Sequence, residues 1–198
     1  MKKNKIQNLT ITALMAAILC IAGPMVIPVG MVPMSFANMA IYLTILLLDK
    51  KQAVISTAVY LLIGLTGVPV FSGFSGGAGK LFGPTGGYLI GYLALSWIAG
   101  SILERPKKAK DRKEISDSEY KNMKTEKESR GIRKIAALSI GTISVYFIGT
   151  IWLMYQSNLT SVEALTVGVL PFVVFDAVKI VAAVGLGNSI KKRMRAIL

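Results

Sequence analysis

Two ionisable side chains stand inside an apolar run near the end of the chain, in Pro171-Phe-Val-Val-Phe-Asp176-Ala-Val-Lys179. An acid and a base three positions apart on a helix are separated by about 300° of rotation, so both lie within about 60° of each other on one face. Ionisable groups are expensive at membrane depth and turn toward a bundle interior or a cavity. The pair therefore has two readings. Either it satisfies itself as an intrahelical ion pair that ties helices together, or both groups point into a polar solute site. An acid and a base also suit a small membrane enzyme, but no nucleophile, metal set or cofactor motif accompanies Asp176 and Lys179. Asn38, Lys80 and Tyr88 are the other polar groups placed to reach an outward-facing pocket. For Asn38 the plainer alternative is a hydrogen bond between helices.

Residues 67–88 hold eight glycines in 22 positions, interleaved with Val70, Phe71, Phe74, Leu81, Phe82 and Tyr88. Glycine permits close approach and positive φ, and aromatic side chains would anchor such a backbone. The stretch reads as a structured cap over a pocket, or as a tight connection packed on a bundle. Gly79-Lys80 imitates the end of a phosphate-binding loop, but the required first Gly is Phe74 and the required Ser/Thr is Leu81. The dinucleotide fingerprint fails as well, because Gly83 falls one position late after Gly77 and Gly79. Any step that needs ATP must be powered by other chains.

The elements that position these residues follow from hydropathy. The chain has 198 residues, 53% apolar, and is 17% charged, against about 25% for a soluble domain. Six apolar segments appear, at about 9–27, 35–48, 53–65, 86–103, 135–155 and 165–190. Crossing a hydrocarbon core of about 30 Å takes about 20 helical residues, so the second and third are short or bent spans. Gly83, Gly87 and Gly91 recur every four residues into the fourth segment, a spacing that lets helices pack closely. The reading is a single all-α membrane domain over residues 1–198 with six transmembrane helices.

Charge sets the orientation. Residues 104–134 carry 12 basic and 7 acidic side chains and read as a charged cytoplasmic loop, part helical, with contact to anionic lipid as its alternative role. Placing both termini in the cytoplasm puts 21 of the 23 Lys and Arg residues on that side, as the positive-inside rule requires. The net charge of +13 is thereby explained by the lipid bilayer, not by nucleic acid. No histidine and one cysteine, Cys20, exclude the usual zinc and iron–sulfur sites, His-based catalytic triads and an intrachain disulfide. No cofactor is expected. The basic start of the chain imitates a signal peptide, but no convincing cleavage site follows it.

Val68-Pro-Val-Phe71, the string Gly83-Pro-Thr-Gly-Gly-Tyr-Leu-Ile-Gly-Tyr92, and Pro171-Phe with Asp176 and Lys179 together resemble the signature of the BioY family. These are the biotin-binding S components of energy-coupling factor (ECF) transporters. The chain departs from the family at Ser35-Phe-Ala-Asn38, where Gln is common. The resemblance implies a subunit, not an enzyme, that captures biotin from outside. Import would be driven by a separate transmembrane coupling protein and two ATPase subunits. It implies that Asp176 accepts from the ureido N–H groups and that Lys80 or Lys179 meets the carboxylate or the ureido oxygen. Phe71, Phe74 and Tyr88 would cover the apolar parts. It also gives Ala13 and Ala17, four residues apart on the first helix, a place against the coupling protein, internal packing being their alternative. The same topology would serve an S component for riboflavin, thiamine or lipoate.

Overall fold

The structure, a computed structural model, describes residues 2–27, 32–104 and 119–197. It is mostly helical. The elements are α1 (Lys2–Ala22), β1 (Val26–Ile27), β2 (Met34–Ser35), α2 (Ala37–Leu47), α3 (Lys50–Leu65), α4 (Ala78–Leu81), α5 (Gly86–Leu103), α6 (Glu119–Ser157), α7 (Ser161–Gly168) and α8 (Leu170–Ile197). Among the described residues, three stretches, Gly86–Leu103, Gly131–Ser157 and Ser161–Arg193, are long and apolar enough to cross a membrane, and Ile6–Ala22 and Ala37–Leu47 are shorter apolar helices.

Local sequence explains where the elements begin and end. α1 stops before Gly23-Pro24, a pair that ends helices, so the expected first segment is five residues too long at its outer end. The chain then turns into the antiparallel ribbon β1–β2, with Val26 opposite Ser35 and Ile27 opposite Met34. The Ser35 hydroxyl donates to Gly23 O at 3.0 Å and accepts from Ala37 N–H at 2.9 Å, tying the ribbon to the start of α2. Asp49 and Gln52 form a capping box at α3, and Thr160 and Glu163 form one at α7. Segment six is two helices, because Pro171 lacks an N–H and its ring conflicts with continuous helix; the backbone leaves helical geometry at Val169. Part of the expected charged loop is helix: α6 begins at Glu119, in a stretch rich in Glu and Lys, which are good helix formers. Residues 105–118 lie outside the described residues.

Packing centres on α5 and α6. A Cβ at Gly87 would lie 2.3 Å from the Trp152 Cβ, and one at Gly91 would lie 3.0 Å from the Val145 Cα, so the four-residue glycine spacing serves close approach within the bundle. Polar side chains join helices elsewhere: Tyr42 with Thr142 at 2.7 Å, and Thr57 with Ser96 at 2.8 Å. The glycine-rich stretch is pinned down. Gly73 N–H donates to Pro24 O and Gly77 N–H to Gly64 O, at 3.1 and 2.7 Å. The Trp152 indole donates to Gly83 O at 2.9 Å, and the Gln156 amide donates to Phe82 O. Ribbon and loop thus meet at one end of the bundle.

Candidate functional site

Beneath that end lies a cavity with roughly 540 Å³ of empty space, part of it open to solvent. Its roof comes from Val32 to Ser35, Ser72 and Thr85; its walls come from Asn38 of α2, Tyr88, Leu89 and Tyr92 of α5, Val145 and Tyr146 of α6, Gly168, and Phe172, Asp176 and Lys179 of α8. Phe172, Asp176 and Lys179 share a helical face at spacings of four and three.

The polar groups converge on Asp176, which is 3% exposed. Lys179 Nζ lies 3.2 Å from its Oδ1. The Tyr146 hydroxyl donates to Oδ2 at 2.7 Å, within the short range of charge-assisted bonds. The Asn38 amide donates to both oxygens, at 3.4 and 3.3 Å. Lys179 also donates to the Ser35 carbonyl at 3.0 Å, so the ammonium links the α8 carboxylate to the ribbon that roofs the site. The ion pair of the first reading is present, and both of its residues also line the cavity. The rest of the lining mixes the aromatic and aliphatic side chains of Tyr88, Leu89, Tyr92, Val145 and Phe172 with the hydroxyls of Ser72 and Thr85. The cavity can hold a solute with one polar, hydrogen-bonding edge and an apolar body.

The expected residues divide. Asp176, Lys179, Asn38 and Tyr88 line the cavity, with the Tyr88 hydroxyl donating to Gly168 O at 3.1 Å. Phe71, Phe74 and Lys80 are not among its lining residues. Phe71 is fully buried and inserts into the notch at Gly64, edge-on to Tyr60 with ring centroids 5.6 Å apart. Phe74 sits at φ 56° and points away, 73% exposed. Lys80 is partly exposed on the short helix α4. Ala13 and Ala17 are exposed on α1 while Met15, Ala16 and Leu19 are buried, so their face is not packed within the described bundle. Tyr146 and Tyr92 were missed by sequence reasoning. A phenol in the middle of an apolar span was the available signal for Tyr146, because a buried hydroxyl usually finds a partner.

Comparison with known proteins agrees with this architecture. The sequence profile of the BioY family matches residues 1–196. The chain is 31% identical over 179 residues to the biotin transporter BioY2 of Lactococcus lactis, covering 90% of this chain and 87% of that protein. It is also 31% identical to the biotin transporter BioY of Thermotoga maritima, covering 89% and 90% of the two chains. A crystal structure of the S-component for biotin from an ECF-type ABC transporter superposes with a TM-score of 0.79 at 30% identity, over 97% of this chain and 94% of that one.

Proposed function

The chain belongs to the BioY family, and we propose that the cavity under the ribbon is its biotin site. The protein is a multi-pass membrane protein that serves as the biotin-capturing S component of an ECF transporter; it is not an enzyme. The observation that carries the site assignment is the corner where Lys179, Tyr146 and Asn38 converge on a buried Asp176 in the wall of the cavity. Biotin offers a matching solute: a ureido ring with two N–H donors and a carbonyl at one end, a thioether ring, and a valerate chain. The ureido edge faces the polar corner. Tyr88, Tyr92, Leu89 and Phe172 cover the rings and chain. Lys179 is the lysine inside the cavity, so it, not Lys80, meets the solute.

Six spans with both termini cytoplasmic suit this site, because the ribbon and the glycine-rich loop then face the outside, where solute arrives. All the basic residues except Lys80 and Lys179 then fall on the cytoplasmic side, as the positive-inside rule asks. Energy comes from a separate transmembrane coupling protein and two ATPase subunits, with Ala13 and Ala17 as the contact on α1. Their small side chains and exposure support close approach by a partner helix.

Binding of labelled biotin to the purified chain, competed by unlabelled biotin but not by riboflavin, thiamine or lipoate, is the expected result. Competition by one of those three instead would reassign the solute. Ala17→Trp should block assembly with the coupling subunit and leave biotin binding intact. Loss of both together would mean that the alanine holds the chain's own bundle.

A further inference from the structure

The last apolar segment breaks where α7 gives way to α8, and the break is held from outside the helix. Pro171 has no N–H to donate. The Phe172 N–H, which an unbroken helix would send to Gly168 O, donates to Val169 O at 2.9 Å. Gly168 is buried, and a buried carbonyl left without a donor is destabilising. Its donor comes from α5: the Tyr88 hydroxyl bonds Gly168 O at 3.1 Å. Two glycines make the slot for that phenol. A Cβ at Gly149 of α6 would lie 2.3 Å from Tyr88 Cδ1, and one at Gly168 would lie 2.1 Å from the Tyr88 hydroxyl oxygen. The ring is thus gripped between α6 and α7, with its hydroxyl on the break.

Resting on the biotin reading above, we propose that the Tyr88 hydroxyl is a positioning group: it sets the angle at the α7–α8 break, and with it the aim of the α8 face that lines the cavity. That face carries Phe172, Asp176 and Lys179. Asp176 stands six residues beyond Leu170, the first residue of α8, or about 9 Å along the helix at 1.5 Å per residue. A change of about 10° at the break would carry it about 1.5 Å sideways, against a tolerance of about 0.5 Å for a preorganised site. Tyr88 therefore has two parts with two tasks. Its ring forms cavity wall, while its hydroxyl is committed to the backbone and reads nothing in the solute.

The test uses the full chain with Cys20→Ser, and with Val162→Cys on α7 and Val181→Cys on α8 carrying spin labels; both valines are exposed. The label separation reports the angle at the break without any solute. With Tyr88 in place it should be one narrow distance, and in Tyr88→Phe, which keeps the ring, a broader or displaced one. Biotin binding is measured on the same proteins. In Tyr88→Phe it should weaken by at most about 12-fold, because a bond of about 1.5 kcal/mol can hold no larger share of the population in the binding geometry. Gly168→Ala drives a methyl group into the hydroxyl and should weaken biotin further. In the Tyr88→Phe background the atoms nearest that methyl are Leu153 Cδ2 at 3.2 Å and the ring Cζ at 3.3 Å, so the double variant should bind no worse than Tyr88→Phe. If Gly168→Ala alone fails to fold, recovery of folding in the double variant is the same result. An alanine that harms both backgrounds equally would show that the glycine serves something other than the hydroxyl, and would overturn the assignment. So would a Tyr88→Phe that loses affinity at an unchanged label distance, which would put the hydroxyl on the solute, or one that shifts the distance with affinity intact. A wild type that binds no biotin would overturn the biotin reading, and the label distances would still decide whether the hydroxyl sets the break.

Discussion

Two lysine–carboxylate pairs sit at opposite ends of this molecule with almost the same separation and very different surroundings. Lys179 and Asp176 are 3.2 Å apart, with side chains 11% and 4% exposed. Lys50 and Glu104, joining the start of α3 to the end of α5, are 3.3 Å apart but 30% and 55% exposed. Distance does not separate them; solvent does. Removing one partner of a buried pair strands a charge and destabilises by about 3–5 kcal/mol, whereas exposed pairs contribute about 0–1 kcal/mol. The buried pair is further bound to Tyr146, Asn38 and Ser35. Such a cluster justifies its desolvation when it does chemistry that apolar side chains cannot do. The exposed pair needs no such justification.

The largest effect expected is at the buried pair. Asp176→Asn or Lys179→Met alone should lower stability by about 3–5 kcal/mol in chemical unfolding of the micelle-solubilised protein. Biotin affinity should fall about 10- to 150-fold, as loss of a charge-assisted bond of about 1.5–3 kcal/mol implies. The double variant Asp176→Asn with Lys179→Met removes both charges and should recover most of the stability but none of the binding. A double variant that binds biotin normally would make the pair mere mortar and erase the contrast drawn here.

Tyr146→Phe comes next. It deletes one donor at 2.7 Å from Asp176 Oδ2 and leaves the ion pair in place. Stability should drop by about 1.5 kcal/mol for one lost charge-assisted hydrogen bond, and biotin affinity should fall with it as Asp176 loses its orientation. Tyr155→Phe, in the last turn of the same helix and 84% exposed, is the matched control and should change nothing. Equal effects from both tyrosines would show that the phenol at Tyr146 has no special relation to the cavity.

What could be read in advance follows the same division between solvated and buried chemistry. Asp176 and Lys179 stood out because apolar neighbours on both sides made any charge conspicuous. Gly87 and Gly91 were legible because a helical repeat fixes which residues share a face. Tyr146 was not, because its partner lies 30 positions away on another helix, and only the packing of α6 on α8 brings them together. Phe71 and Phe74 sit in a loop with no repeat to say which side faces in. One fills the notch at Gly64 and the other turns outward, a difference set by the backbone turn at Phe74 and the pairing of Phe71 with Ser75. The break at Pro171 was written in the sequence but masked by continuous apolar composition on either side of it.

The smallest effect is expected at Lys50 and Glu104, and it is the most demanding check on the comparison because the geometry alone would predict otherwise. Lys50 does more than face a carboxylate. Its ammonium stands 5.7 Å from the Trp97 ring centroid, an arrangement worth about 0.5–1 kcal/mol when exposed. Its stem lies over Gly100, with Cγ 2.9 Å from where a Cβ would be. Truncation to alanine would therefore mix lost packing with lost charge. Lys50→Met keeps the stem and removes only the ammonium. Combined with Glu104→Gln in a double-mutant cycle, it should give a coupling of about 0.2–1 kcal/mol that shrinks as salt rises through the range where the Debye length falls from about 10 to 3 Å. Biotin affinity should stay unchanged, since neither residue lines the cavity. The buried pair, shielded from ions, should show no comparable salt dependence. A coupling at Lys50 and Glu104 as large as that at Lys179 and Asp176, or one indifferent to salt, would mean that separation and not solvent exclusion sets the strength of these pairs, and the functional weight placed on the buried one would go with it.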